Sequence, residues 1–295
     1  MKRSDHLRWG TERRLEFIEY RIYWDGGVRR ADLTETFGVS TPQASGDLSL
    51  YQDLAPGNMV YDSSEKKYVA TDGFKAKYCD VSPERYLAYL RDWAGDKLNL
   101  ADGWMSQIPA ADAMPIPSRR IQPLVLKQAV SAVRNRWSLE VLYRSLNEDG
   151  GVPDGWRTIS PHAFAFDGMR WHVRAYCHRD SAFKDFVLSR FDKVQGEQPS
   201  DIDAAQDQLW HERVDVTLQA NPRLKPHQRA AIEEDYAMEG QRLTLSVRKA
   251  LLFYLEKHLR LDYPDEGMPP EAKPLCVVNP EVFDMLTCSP PDVSR

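Results

Sequence analysis

Along residues 9–24, WGTERRLEFIEYRIYW, the apolar positions Leu15, Ile18 and Ile22, with Thr11 one turn earlier, fall on one side of a 3.6-residue spiral. Charged residues fill the gaps, so the spacing predicts an amphipathic helix, which Asp25, Gly26 and Gly27 stop. A second short helix, RADLTETFG, sets Leu33 and Phe37 on one face and ends where Gly38 supplies a C-cap. Thr41 is suited to cap a third helix, PQASGDLSLYQDL, with Pro42 at its first position and Ala44, Leu48 and Tyr51 at i, i+4 and i+7. Three helices with a Gly-Val-Ser turn before the third make a helix-turn-helix. The next stretch, MVYDSSEKKYVA, reads as two short strands around a turn from Asp62 to Glu65, a wing.

Residues 82–93, SPERYLAYLRDW, predict a connector helix with Ser82 as cap and Pro83 first. IPAADAMPIPSRRIQP holds Pro109, Pro115, Pro117 and Pro123, so it marks a linker. After a short helix near 124–135 the period changes to two. SLEVLYRSL, WRTISPHAFAF, MRWHVRAYCH and FKDFVLSRF are strand candidates, separated by NEDGGVPDG, FDG and HRDSA, and they predict a small, strongly bent sheet. From about 212, the strand RVDVTLQA, a helix from Pro226 through HQRAAIEEDYAM, the strand QRLTLSV and the helix RKALLFYLEKHLRL form a last module, ended by the Pro-rich stretch 264–274. The expected fold is α+β and multidomain: a winged helix-turn-helix over 1–78, a helical connector and linker over 79–120, a small-sheet domain over 121–200 and an α+β extension over 201–295.

Hydrophobic residues at 42% and aromatics at 11% of 295 residues exclude a mostly disordered chain. No run of 18 apolar residues and no apolar leader in MKRSDHLRWGTERRLEF occur, so a cytoplasmic protein without membrane contact is expected. Cys79, Cys177, Cys276 and Cys288 lie far apart with no CxxC pair, so neither a zinc knuckle nor a disulfide framework is suggested; no metal and no cofactor are expected. The net charge of −5 hides an uneven distribution: residues 1–78 are balanced, 79–115 carry −3, 116–200 carry +4 and 201–295 carry −6. The cationic middle segment suits an anionic ligand.

Near the start of the third helix, Ser40, Thr41, Gln43, Ser45 and Gly46 present short or amide side chains where recognition helices meet base edges, and Gln43 can pair with adenine. Lys66 and Lys67 in the wing, and Arg13, Arg14, Arg29 and Arg30, offer phosphate contacts. The competing reading of this segment is a plain helix bundle. In RWHVRAY, strand alternation puts Trp171, Val173 and Ala175 on one face and His172, Arg174 and Tyr176 on the other. Ser160 and His162 share a face of their strand, Arg190 falls in register with Phe186, and Tyr143 lies in the first strand. A bent sheet gathers Tyr143, Ser160, His162, His172, Arg174, Tyr176 and Arg190 into a pocket for a phosphate-bearing or nucleotide ligand, against the alternative of a solvated sheet face.

GMRWHVRAYCHRDSAFKDFVLSRF resembles the core of a WYL domain, with Trp171, His172 and Val173 standing where Trp-Tyr-Leu usually occurs and KDFVLSR matching the following strand. The order of parts resembles bacterial WYL-type transcriptional regulators over nearly the whole chain, and SPHAF and RWHVRAY resemble the homodimeric repressors beside bacteriophage-defence operons of the BREX and CBASS types. The resemblance implies an Sm-like central sheet, a homodimer on an inverted-repeat DNA operator, and an anionic nucleotide or oligonucleotide effector. No catalytic residue is assigned: GxSxG, GxGxxG, P-loop and HExxH motifs do not occur, and adjacent Cys177 and His178 point to opposite strand faces. The alternatives are an RNA- or single-stranded-DNA-binding protein that stacks bases on Tyr176 and Phe186, and a hydrolytic enzyme using Ser160 with His162.

Overall fold

The computed structural model describes residues 8–95, 104–105, 108–145, 154–264 and 267–288. The chain divides into two units, Met1–Ile116 and Pro117–Arg295, so the connector belongs with the first unit and the C-terminal extension with the sheet domain.

In the first unit, α1 (Trp9–Trp24), α2 (Arg30–Phe37) and α3 (Thr41–Leu54) form where the apolar spacing puts them. Leu15, Phe17, Ile18 and Ile22 meet Leu33, Ala44, Leu48 and Tyr51 in one core. Gly38 ends α2 at φ 64, and its N–H reaches the Thr34 carbonyl at 3.0 Å. The cap of α3 is Ser40, not Thr41: Ser40 Oγ accepts the Gln43 N–H at 3.3 Å, and Thr41 is the first helical residue. Strands β1 (Met59–Asp62) and β2 (Lys67–Ala70) pair antiparallel with Asp62 opposite Lys67, forming the wing. Val28 and Tyr68 exchange backbone hydrogen bonds at 2.8 and 2.9 Å, which fastens the wing to the loop after α1. Gly27 makes this approach possible, because a Cβ there would lie 2.6 Å from Lys67 Cδ and 2.8 Å from the Tyr68 carbonyl. Helix α4 (Pro83–Ala94) follows, with Tyr86 stacked on Trp24 at 4.4 Å between ring centres.

In the second unit, α5 (Pro123–Asn135) precedes β3 (Trp137–Arg144), β4 (Asp154–Phe166), β5 (Trp171–Cys177), β6 (Ala182–Val187) and β7 (Phe191–Pro199). These strands make an antiparallel sheet in the order β6-β5-β4-β3-β7, the last strand folding back beside the first in the Sm-like manner. The expected turn NEDGGVPDG lies largely outside the described residues. Val125, Ala129 and Ala132 of α5 cover one sheet face, packing on Leu139, Val141, Ile159, Val173 and Ala175. Helix α6 (Gln208–His211) leads to β8 (Arg213–Ala220), α7 (Pro226–Asp235), β9 (Leu243–Arg248), α8 (Leu252–His258) and β10 (Leu275–Val277). The module does not end at the Pro-rich stretch as expected: β10 comes after it and pairs with β8, giving the order β10-β8-β9.

Candidate nucleic-acid interface and ligand cavity

The solvent face of α3 is organised by an acid on its buried side. Asp47 accepts Arg14 Nε at 2.6 Å, Arg14 Nη2 at 3.2 Å and Gln43 Nε2 at 3.0 Å. Arg14 therefore braces α1 on α3 and is not an open phosphate ligand, while Gln43 is exposed but held along its helix. Ser45 Oγ donates to the Thr41 carbonyl at 3.0 Å, and Thr41 and Gly46 are exposed, with open space where a Gly46 side chain would project. In the wing, Asp62 Oδ1 accepts Ser64 N–H, Ser64 Oγ and Glu65 N–H at 2.8, 2.6 and 3.2 Å, closing the turn and holding its own carboxyl below the usual range. Lys66 is exposed at φ 54, and Lys67 pairs with Glu65. Arg13 lies over the Trp104 ring at 4.4 Å and pairs with Glu16. Arg29 reaches the Glu65 carbonyl at 3.5 Å, and Arg30 is exposed.

The pattern reading missed Glu19. It is fully buried and accepts Tyr51 Oη at 2.9 Å, Lys77 N–H at 3.0 Å, and the Tyr78 and Cys79 N–H groups at 2.7 Å each. Asn58 extends the network, donating to Tyr51 Oη at 3.0 Å and to the Lys75 carbonyl at 2.8 Å. A carboxylate thus gathers the chain leaving the wing onto α1 and α3. Its signal was an acid inside the apolar stripe of α1, and Asp47 leaves the same signal in α3.

In the second unit the residues expected in one pocket separate. Tyr143 is fully buried on the α5 side, edge-on to Phe186 and Phe191 at 5.1 and 5.8 Å, and accepts the Val187 N–H at 3.2 Å. His172, Arg174 and Tyr176 alternate onto the opposite face, so the sheet itself stands between them and Tyr143. Arg190 is not in register with Phe186: β6 ends at Val187, and Leu188–Arg190 form a 3-10 turn. Phe186 is buried in the core, so it cannot serve as an exposed stacking platform with Tyr176.

Nor does the polar face of β5 look onto solvent. Arg174 donates to Asp207 through Nε at 2.7 Å and Nη2 at 2.9 Å, and to Asp185 through Nη1 at 3.3 Å. Burial disfavours its charge, yet the two carboxylates outweigh that and raise its pKa. Burial likewise pushes the Asp207 carboxyl up, but hydrogen bonds from Arg174 and His162 bring it down to about 2. His172 lies under Tyr254 of α8, ring centres 4.7 Å apart, and its Nε2 meets Asp167 at 2.9 Å.

Ser160 and His162 do share a cavity of about 270 Å³, with Arg136, Ser200, His211, Phe183 and the segment 202–205 as its other walls. His162 lies at a bulge between Pro161 and Ala163. Ser200 Oγ donates to Ser160 Oγ at 2.7 Å, which leaves the Ser160 proton for His178 Nε2 at 2.8 Å. His162 Nε2 is 2.9 Å from Asp207 Oδ2, so an ionised Asp207 requires the Nε2–H form of His162. Serine, histidine and carboxylate are thus not in series: Ser160 meets His178, while Asp207 meets His162. Arg136, the left-handed cap of α5 at φ 56, also lines the cavity, where its carbonyl accepts the Ser200 N–H at 3.1 Å, and the strand pattern did not include it.

Family models match the chain as the BrxR transcriptional regulator winged helix-turn-helix domain over residues 10–92, the WYL domain over 124–195 and the BrxR transcriptional regulator C-terminal dimerization domain over 213–283. The DNA-binding transcriptional repressor CapW of Pseudomonas aeruginosa is 40% identical over 285 residues, covering 95% of this chain and 93% of its own length. The chain belongs to the CapW family. The CapW repressor of Escherichia coli strain KTE188 shows 40% identity over 95% of this chain and 93% of its own, and that of Stenotrophomonas maltophilia 38% over 88% and 86%. Among solved structures, the proteasome accessory factor PafBC of Arthrobacter aurescens aligns with 94% of the chain at 14% identity and a TM-score of 0.25. This chain spans about half, 47%, of that one, and the likeness carries no argument. For this member of the CapW family, no helix among the described residues is long and apolar enough to cross a membrane.

Proposed function

We propose that the chain is a homodimeric, sequence-specific DNA-binding transcriptional repressor of a phage-defence operon, acting in the cytoplasm, and that its WYL domain senses an anionic, nucleotide-like ligand. The observation that carries the reading is the capped α3 of a winged helix, exposed at Ser40, Thr41, Gln43 and Gly46, in a chain 40% identical to proteins named DNA-binding transcriptional repressors. A helix start edged with short polar side chains and an amide suits base edges in a major groove. The match to a dimerization domain over 213–283 supports a twofold assembly. The resemblance of SPHAF and RWHVRAY to repressors beside BREX and CBASS operons supports the phage-defence role.

For the ligand, the cavity wall carries Arg136, a residue type suited to an anion, beside one carboxylate, Asp203; the Ser160, Ser200, His162 and His211 hydrogen bonds are made within the protein and would be exchanged for bonds to an anion. Arg174 is committed to Asp207 and Asp185, so it supports this reading by orienting the wall rather than by touching the ligand. The separation of Ser160–His178 from His162–Asp207 favours binding over hydrolysis. Fluorescence anisotropy of the full chain with duplexes from the DNA upstream of its own gene tests the reading. The expected result is a site bound at least about 1,000-fold more tightly than unrelated duplex at one salt concentration. Equal affinity for all duplexes contradicts sequence-specific repression.

A further inference from the structure

We propose that Asp207 and Tyr254 are positioning residues through which the cavity wall holds the C-terminal module, so that the contents of the cavity set how firmly that module is seated. The proposal rests on the reading of the cavity as an effector site.

Two chains of contacts leave His162, one partly buried through α6 and one buried through the sheet. The first runs through α6. Asp207 accepts His162 Nε2–H through Oδ2 and, through Oδ1, the Trp210 N–H at 3.2 Å, which makes it the cap of α6. From α6, the Trp210 carbonyl accepts Arg248 Nη1 at 2.5 Å and the Glu212 carbonyl accepts the Lys249 N–H at 3.0 Å. Both donors sit at the junction of β9 and α8. The second chain runs through the sheet. Asp207 meets Arg174, Arg174 meets Asp185, and Asp185 Oδ2 accepts Tyr254 Oη of α8 at 3.1 Å. Tyr254 also covers the His172 ring, whose Nε2 donates to Asp167. At the turn after β4, Gly168 leaves room for His258 of α8: a Cβ would lie 2.7 Å from His258 Nε2.

Side-chain exposures along the path are 11% for His162, 2% for Asp207, 4% for Arg174 and 1% for Asp185. Asp207, Arg174 and Asp185 are too dry to replace a missing partner with water, so the bonds among them are kept or given up together. His162 faces the cavity and stands at the head of both routes, and His211 of α6 also lines the cavity. An anion that takes its Nε2–H withdraws that proton from Asp207 and loosens both routes to α8. A ligand that leaves this bond intact keeps the module seated.

The test is a double-mutant cycle read by hydrogen exchange of the α8 amides, 252–258, in the full chain without ligand. His162→Ala and Tyr254→Phe are each expected to speed exchange there by about tenfold, and together to fall short of the product by at least about fivefold. His162→Gln, whose amide can still donate to Asp207, should restore near wild-type exchange, and Ser200→Ala, a cavity wall off the path, should leave α8 unchanged. Fully multiplicative effects, an unmoved α8 in His162→Ala, or failure of the glutamine to rescue overturns the coupling. Titration of the wild type with a deoxynucleoside monophosphate separates this from the effector reading. Binding with multiplicative effects refutes the coupling alone, whereas a non-multiplicative cycle without binding upholds the coupling and refutes only the nucleotide reading.

Discussion

Arg174 was legible as a cation on the polar face of β5, but not as the centre of an internal ion cluster, because its partners Asp185 and Asp207 are 11 and 33 residues away. Removing it should leave two carboxylates buried without their cation, so Arg174→Ala is expected to lose about 3–5 kcal/mol in urea unfolding followed by circular dichroism. A loss below about 1 kcal/mol would mean that water enters the cluster freely. Asp207 adds a pH signature. Its folded-state pKa of about 2 lies below the ordinary 3.8, so its contribution is fully present above about pH 4 and disappears as pH falls through about 2. The contribution is on the order of 2 kcal/mol, and Asp207→Asn should flatten the acid slope of stability over that window. Gln43 is read differently: Gln43→Ala leaves Arg14 to hold Asp47 and should weaken operator binding by about 1–3 kcal/mol at one or two base positions. A binding titration against operator variants checks this, and an unchanged base preference would remove Gln43 from the reading surface.

Helices α1 to α3 and the wing were readable because local signals agree there: apolar spacing, Gly38 as a left-handed cap, and a polar turn between two short strands. The misreadings have local causes too. Ser40 and Thr41 are both competent caps, and the geometry that selects Ser40, its oxygen toward the Gln43 N–H, is not encoded in composition. Accordingly, Ser40→Ala should lower stability by about 1 kcal/mol, while Thr41→Ala should change it little; calorimetric melting of the two variants distinguishes them. Strand β10 escaped notice because Leu275, Cys276 and Val277 are too few for a period and follow prolines; the pairing with β8 makes them a strand. Strand β6 was extended too far because Leu188-Ser189-Arg190 keeps a strand-like alternation while the chain turns. Tyr143 was placed by its phenol rather than by its parity with Leu139 and Val141, which assigns it to the α5 side.

At the scale of the whole chain, three successive domain patterns were visible because each carries its own periodicity, and the CapW relatives cover the same span. What the sequence concealed is that the polar face of the central sheet is closed by α6 and α8, since such a closure is made by residues from another domain. The wing lysines act at this scale. Lys66→Ala with Lys67→Ala should weaken all duplexes alike and lower the salt slope by about one for each phosphate left without its lysine. The most direct measurement of sequence-specific, twofold binding is a hydroxyl-radical footprint of the full chain on the DNA upstream of its own gene. Two protected half-sites in an inverted repeat are predicted, their centres about one helical turn or a multiple of it apart. A single unsymmetrical patch, or uniform protection without a preferred site, would contradict a homodimeric, sequence-specific repressor.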